Sequence, residues 1–126
     1  DRILDFEGDS GPYIQYTYAR IRSILRKKKQ GKKKIEYTKL SHESEGKLVL
    51  LLESFPRITK KALEDYHPHI VAQFLLQLCR AFNEFYHACK VLGSEEEAER
   101  LVLIEKVSVI IKTGLELLGI RVVEEM

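Results

Sequence analysis

The stretch that decides the fold is Pro68 to Cys89, PHIVAQFLLQLCRAFNEFYHAC. Apolar or amphipathic residues fall at Ile70, Val71, Phe74, Leu75, Leu78, Phe82, Phe85, Tyr86 and Cys89. Steps of three and four place these side chains on one face of an α-helix, because the helix turns once every 3.6 residues. Pro68 stands at the first turn, where its missing N–H leaves no hydrogen bond unmade. The spacing predicts a helix from Pro68 to Cys89 whose apolar face has to be covered by other elements.

Downstream, Gly93 closes this region and Ser94-Glu95-Glu96-Glu97 reads as a capping box, with Ser94 at the N-cap and Glu97 at N3. Acids in a first turn also suit the helix dipole. Leu101, Ile104, Ile111, Leu115 and Leu118 then predict a helix from about Glu95 to Leu118. Gly119 stands where a helix end takes a left-handed residue. Ile120 to Met126 reads as a short tail whose apolar members tuck back onto the bundle.

Upstream, Ser41 to Glu45 supplies cap candidates and early acids ahead of the apolar run Leu48 to Leu52. A short buried helix is predicted there, ending near Phe55-Pro56 because proline interrupts the hydrogen-bond ladder. A further short helix covers Arg57 to Asp65. Lys27 to Lys39 has no apolar period and reads as a long connection. Another helix opens at Pro12, capped by Ser10 or Gly11. Ile14, Tyr18, Ile21 and Leu25 form its inward stripe; Tyr13, Tyr16, Arg20 and Lys27 run along another face, with Arg22 and Arg26 beside it. The expected architecture is all-α: a bundle of about five helices over residues 12–126, preceded by a linker or loop over residues 1–11.

Composition agrees. The 126 residues suit one domain, 44% are hydrophobic, and three prolines with seven glycines are few for a β-rich fold. Cys79 and Cys89 are ten residues apart on one predicted helix, about 15 Å, too far for a disulfide. They read as small buried groups of a reducing compartment. The start of the chain does not resemble a signal peptide, and the longest apolar run is five residues, so a soluble cytoplasmic protein is the expectation. The net charge of +2 conceals an asymmetry: Arg20 to Lys39 holds ten basic residues and one acid, whereas Ser41 to Met126 holds ten basic and fourteen acidic. The basic end suits a polyanion.

Motifs for chemistry are missing. His67-Pro68-His69 has no further Cys or His at a zinc-ligand spacing and reads as capping or solvated imidazoles. Gly8 to Gly11 is not followed by the Lys-Ser or Lys-Thr of a phosphate-binding loop. No Ser, Cys or Thr stands in a nucleophile motif, and the acidic run Glu95 to Glu97 is explained by capping. The sequence therefore offers no catalytic residue, no metal site and no cofactor site. What it does offer is Tyr13, Tyr16, Tyr18, Arg20, Arg22 and Arg26 within four turns. Tyrosine stacks on unpaired bases, and arginine binds phosphate and stacks as well, so single-stranded RNA is one ligand these residues fit. The other reading makes the tyrosines core residues and the arginines a solvated face. The run Lys27 to Lys34 carries only a generic, salt-sensitive attraction for phosphate.

Three segments bear on that choice. Asp5 to Ser23, DFEGDSGPYIQYTYARIRS, closely resembles the F-E-G-[DN]-[ST]-x-P-Y-x-Q-Y-x-x-[AS]-R segment of arginyl-tRNA synthetases, which joins the catalytic core to the anticodon-binding domain. Ala81 to Leu92, AFNEFYHACKVL, is similar to that family's A-F-N-x-F-Y-x-x-x-x-V-L helix. Thr113 to Ile120, TGLELLGI, with Glu124-Glu125-Met126, is similar to its closing G-L-x-L-L-G-[IL] and terminal E-x-M. The segments occur in the family's order, and the resemblance covers essentially the whole chain. It implies a helical, DALR-type anticodon-binding domain that grips the anticodon stem and loop of tRNA-Arg. Carried over residue by residue, it implies contacts from the loop Glu7 to Gly11, from Tyr13, Tyr16, Arg20 and Arg26, from Tyr86 and from Met126. The H-I-G-H and K-M-S-K-S signatures of class I synthetases are absent from the sequence. The resemblance therefore implies that ATP, arginine and Mg²⁺ sites belong to a catalytic domain outside this chain, that the chain alone does not aminoacylate, and that its partners are tRNA-Arg and that domain, with no DNA and no membrane. Two other readings are a helical protein-interaction domain without RNA binding and the related domain of another class I synthetase, such as the cysteinyl enzyme; the opening segment and Glu124-Glu125-Met126 argue against the latter.

Overall fold

The computed structural model describes residues 10–27 and 40–122. Four helices make up the described chain: α1 (Gly11–Arg26), α2 (Glu43–Asp65), α3 (Pro68–Ala88) and α4 (Glu97–Leu117). No strand occurs among the described residues. The helix α3 is central, packed against each of the other three, and α2 folds back along it as an αα-hairpin.

The core is the one the apolar period predicts. Ile14, Tyr18, Ile21 and Leu25 of α1 are buried against Phe74, Leu75, Leu78, Phe82 and Phe85 of α3 and Leu101, Ile104, Ile111 and Leu115 of α4. Phe82 and Phe85 are completely buried, each worth roughly 1.5–3 kcal/mol of apolar transfer. Helices α3 and α4 approach closely at Gly114, where an added Cβ would lie 2.7 Å from a methyl of Leu75. Both cysteines are buried and unpaired. Burial pushes the Cys79 thiol up to about 12, against a smaller opposing hydrogen bond from Thr17, which leaves it protonated and inert at neutral pH.

Two local expectations are corrected. The two short helices expected on either side of Pro56 are one continuous helix, α2, so four helices stand where about five were expected. Proline removes one ladder bond, but the adjoining turns keep their carbonyls occupied: the Ser54 hydroxyl donates to Leu51 O at 2.7 Å, and that of Thr59 to Pro56 O at 2.9 Å. Packing on α3 holds both halves in line. The expected capping box at Ser94 does not form either. Helix α4 starts at Glu97, the Ser94 hydroxyl donates instead to Val91 O at 2.9 Å, and the Glu97 carboxylate accepts from Gly93 N–H. A true capping box stands at α2, where the His42 ring accepts from Ser44 N–H and Glu45 accepts from His42 N–H. Imidazole nitrogen there does the work usually given to a hydroxyl.

The other ends follow their local chemistry. Gly119 has φ +77° and closes α4 with paired bonds, Gly119 N–H to Glu116 O and Ile120 N–H to Leu115 O, the arrangement that relieves unpaired carbonyls at a helix end. The hairpin turn instead uses Tyr66, a non-glycine residue at φ 54°. Such a backbone costs about 1–2 kcal/mol. No helix among the described residues is long and apolar enough to cross a membrane.

Candidate nucleic-acid interface

Because Ile14, Tyr18, Ile21 and Leu25 commit one stripe of α1 to the core, the neighbouring row Tyr13, Thr17 and Arg20 is turned onto the edge of α3. Opposite it stands Asn83 of α3. Its Oδ1 accepts from Nη1 of Arg20 at 2.9 Å. Its Nδ2 donates to the Tyr13 hydroxyl at 2.8 Å and to the Cys79 carbonyl at 3.1 Å. Thr17 closes the network through its own bond to Tyr13 O at 2.9 Å.

The guanidinium carbon of Arg20 lies 5.3 Å from the ring centre of Tyr16 and 5.3 Å from that of Tyr86. Tyr16 is one turn before Arg20 on the same helix, and Tyr86 one turn beyond Asn83 on α3. Cation–π contacts of this kind contribute about 0.5–1 kcal/mol each at exposed sites. Tyr86 in turn stacks on the fully buried Phe82, ring centres 5.9 Å apart and planes 18° apart. Both tyrosines nevertheless stay partly exposed, 49% at Tyr16 and 38% at Tyr86. Tyr86, counted above among the inward residues of its helix, thus sits at the rim of the core with its body anchored and its edge in solvent.

These side chains surround an open cleft of about 440 Å³, lined also by Ser23, Arg26 and Lys27. Three cations meet there, and no carboxylate is among its described lining residues. The remaining arginine of this helix, Arg22, is turned the other way and pairs with Glu105 of α4 at 3.5 Å. A larger hollow of about 880 Å³ lies between α2 and α4. It is lined by aliphatic side chains such as Val49, Leu50 and Leu103, with Glu43 and Glu53 alongside Lys47 and Lys106. Mixed charge and the lack of an aromatic ring make it the poorer seat for a nucleic acid, despite its size.

The structure therefore brings Tyr16, Arg20, Arg26 and Tyr86 to one cleft and links Tyr13 to Arg20 through Asn83. Met126, Glu7 to Asp9 and Lys28 to Lys39 lie outside the described residues. Asn83 is the residue that sequence reasoning passed over. The signal was an uncharged amide one turn from Cys79 on a strongly apolar face, which needs hydrogen-bond partners to be there. Among the described residues no group of three or more His, Cys, Asp or Glu side chains is placed to hold a metal ion, and His67 and His69 simply meet edge to face at 4.8 Å.

Comparison with known proteins places the molecule. A family model described as the DALR anticodon binding domain matches residues 14–126. The chain is 40% identical to an arginine–tRNA ligase of Halothermothrix orenii across its whole length, and 42% identical, over 98% of it, to that of Clostridium botulinum. It spans only 23% of the length of each. Among solved structures it is similar to Thermus thermophilus arginyl-tRNA synthetase, with a TM-score of 0.82 and 38% identity over 96% of this chain and 22% of that one. It is also similar to the arginyl-tRNA synthetase of Plasmodium falciparum, with a TM-score of 0.79 and 33% identity over the whole chain and 23% of that one. An all-helical fold, a cationic and aromatic cleft and these likenesses agree: the chain belongs to the DALR anticodon-binding domain family, in the form that arginine–tRNA ligases carry.

Proposed function

We propose that this chain is the part of an arginine–tRNA ligase that holds the anticodon stem and loop of tRNA-Arg, and that it does so in the cleft between α1 and the C-terminal end of α3. The observation that supports this most is Arg20, held by two half-open tyrosine rings and a neutral amide beside Arg26 and Lys27. Splayed bases stack on the faces of Tyr16 and Tyr86, and each stacked base is worth roughly 1–3 kcal/mol. Arg20 pairs with a phosphate or a base edge, Arg26 with the backbone. Tyr13 presents its hydroxyl at the same edge, and Met126 covers a further base with its thioether.

ATP-dependent attachment of arginine to tRNA belongs to the remaining three quarters of such a ligase. On the same reading the sites for ATP and Mg²⁺ lie in that part as well. On this reading the chain alone does not aminoacylate, and it works in the cytoplasm, where its two thiols stay reduced.

A fluorescence-anisotropy titration of the 126-residue chain with the tRNA-Arg anticodon stem-loop tests this. Weak binding is expected, since acceptor-arm contacts are missing. With Arg20, Arg26 and Lys27 on phosphates, log K falls against log salt with a slope of about −2 for single-stranded contacts. Equal affinity for a stem-loop with a scrambled anticodon removes the claim of anticodon recognition.

A further inference from the structure

Asn83 is half-buried, and the hydrogen bonds that Arg20 and Tyr13 make to α3 both end on its side chain. Its two ends cannot be exchanged. The Cys79 carbonyl 3.1 Å away can only accept, so the amide nitrogen must face it. A guanidinium can only donate, so the amide oxygen must face Arg20. Two one-way partners thus fix the amide, and the fixed amide dictates the rest. Nη1 of Arg20 is tied inward, which leaves its other N–H groups for a ligand. The Tyr13 hydroxyl, receiving the Asn83 N–H at 2.8 Å, has its own proton directed away from Asn83. It is therefore a donor toward groups other than Asn83, as the outer N–H groups of Arg20 are.

We infer that Asn83 is the positioning residue of the RNA site: it holds the Arg20 guanidinium against Tyr16 and Tyr86 and sets the Tyr13 hydroxyl as a donor, so that the cleft meets an RNA loop with a fixed row of donors. The inference rests on the proposed RNA reading, and adds that one side chain without ligand contact governs its affinity. A loose Arg20 would spend binding energy on being ordered, because a long cationic side chain loses rotamer freedom when it is immobilised.

The experiment is a double-mutant cycle on the full 126-residue chain with Asn83→Leu and Arg20→Ala, titrated with the tRNA-Arg anticodon stem-loop. Asn83→Leu is expected to weaken binding about tenfold, the worth of one lost hydrogen bond to a charged group. In the Arg20→Ala background the same change is expected to add less than about threefold, because its effect has already been removed. Side-chain ¹⁵N spectra of the RNA-free protein supply the readout of position. Arg20 N–H signals shifted by two rings are expected in the parent chain and at the values of a solvated arginine in Asn83→Leu. Asn83→Ser, which keeps a hydroxyl for the Cys79 carbonyl but cannot reach Arg20, is expected to give the same spectra and the same loss if the leucine variant does not fold. Full additivity in the cycle, or unchanged Arg20 signals in the folded serine variant, overturns the inference. If Arg20→Ala itself binds as the parent does, the RNA reading of the cleft fails, while the spectra still decide whether Asn83 positions Arg20.

Discussion

Two arginines of this molecule are pinned in opposite ways. Arg100, at the start of α4, gives Nε to the Glu45 carboxylate at 2.8 Å and Nη1 to the Lys90 carbonyl at 2.6 Å. Glu45 is completely buried, and the Arg100 side chain is 12% exposed. Partial burial works against the arginine's charge, yet the bond to Glu45 and its negative charge outweigh it and hold Arg100 above its ordinary value. The pair fastens α2 to α4, and the loop before α4 is bonded to the same guanidinium. Arg20 is held as firmly by number of contacts, but its partners among the described residues are two phenol rings and an amide, all neutral. A charge cancelled by a carboxylate serves the fold. A charge held in place without being cancelled remains available to a polyanion, and that difference sets Arg20 apart from Arg100.

The largest effect belongs to the structural pair. Arg100→Met leaves Glu45 buried without its counter-charge and is expected to destabilise the chain by about 3 kcal/mol in urea unfolding. Stem-loop affinity of the folded variant should match the parent's. A loss of affinity there breaks the division between the two arginines. Next comes Tyr86→Ala, expected to weaken stem-loop binding by about 1–3 kcal/mol through lost stacking. Its cost to the fold should be smaller, because Tyr86 is already 38% exposed and gives up less buried surface than a core ring; comparing its titration with its melting curve checks this.

Asn83→Asp sharpens the contrast directly, because it gives Arg20 the kind of partner Arg100 has. Stability is expected to change by less than about 1 kcal/mol, as for a partly exposed ion pair. Stem-loop affinity should fall about tenfold, and the salt slope should shrink by about 0.7, one phosphate contact's worth. Arg26→Ala is the mildest. It should lower affinity by less than about 1 kcal/mol, equally for matched and scrambled loops, as phosphate contacts carry no sequence information.

Much of this was legible in the sequence, for reasons that can be located. Helices α1, α3 and α4 bury residues at three- and four-residue steps, and burial is what that period reports. The row Tyr13, Tyr16 and Arg20, in which Tyr16 is exposed and the other two are half-buried, flanks a legible core stripe. The continuity of α2 was not legible, because the proline penalty at Pro56 is local whereas the packing on α3 that overrides it is tertiary. The start of α4 slipped past Ser94 because its hydroxyl found the Val91 carbonyl, a competitor invisible in a capping pattern. Asn83 and Glu45 show the main limit. A polar residue on an apolar face announces that it has partners, but Arg20 lies 63 residues away and Arg100 lies 55, and no periodicity encodes those pairings.

The most direct test is the stem-loop affinity of Arg20→Gln beside its unfolding midpoint. Glutamine keeps a polar, planar side chain at this position while removing the charge. A fall in affinity of about tenfold or more, with a lower salt slope and a midpoint within error of the parent's, is the expected result. Parent-like affinity with an unchanged salt slope contradicts the account, since it means that a cation held by neutral partners is not what the RNA meets.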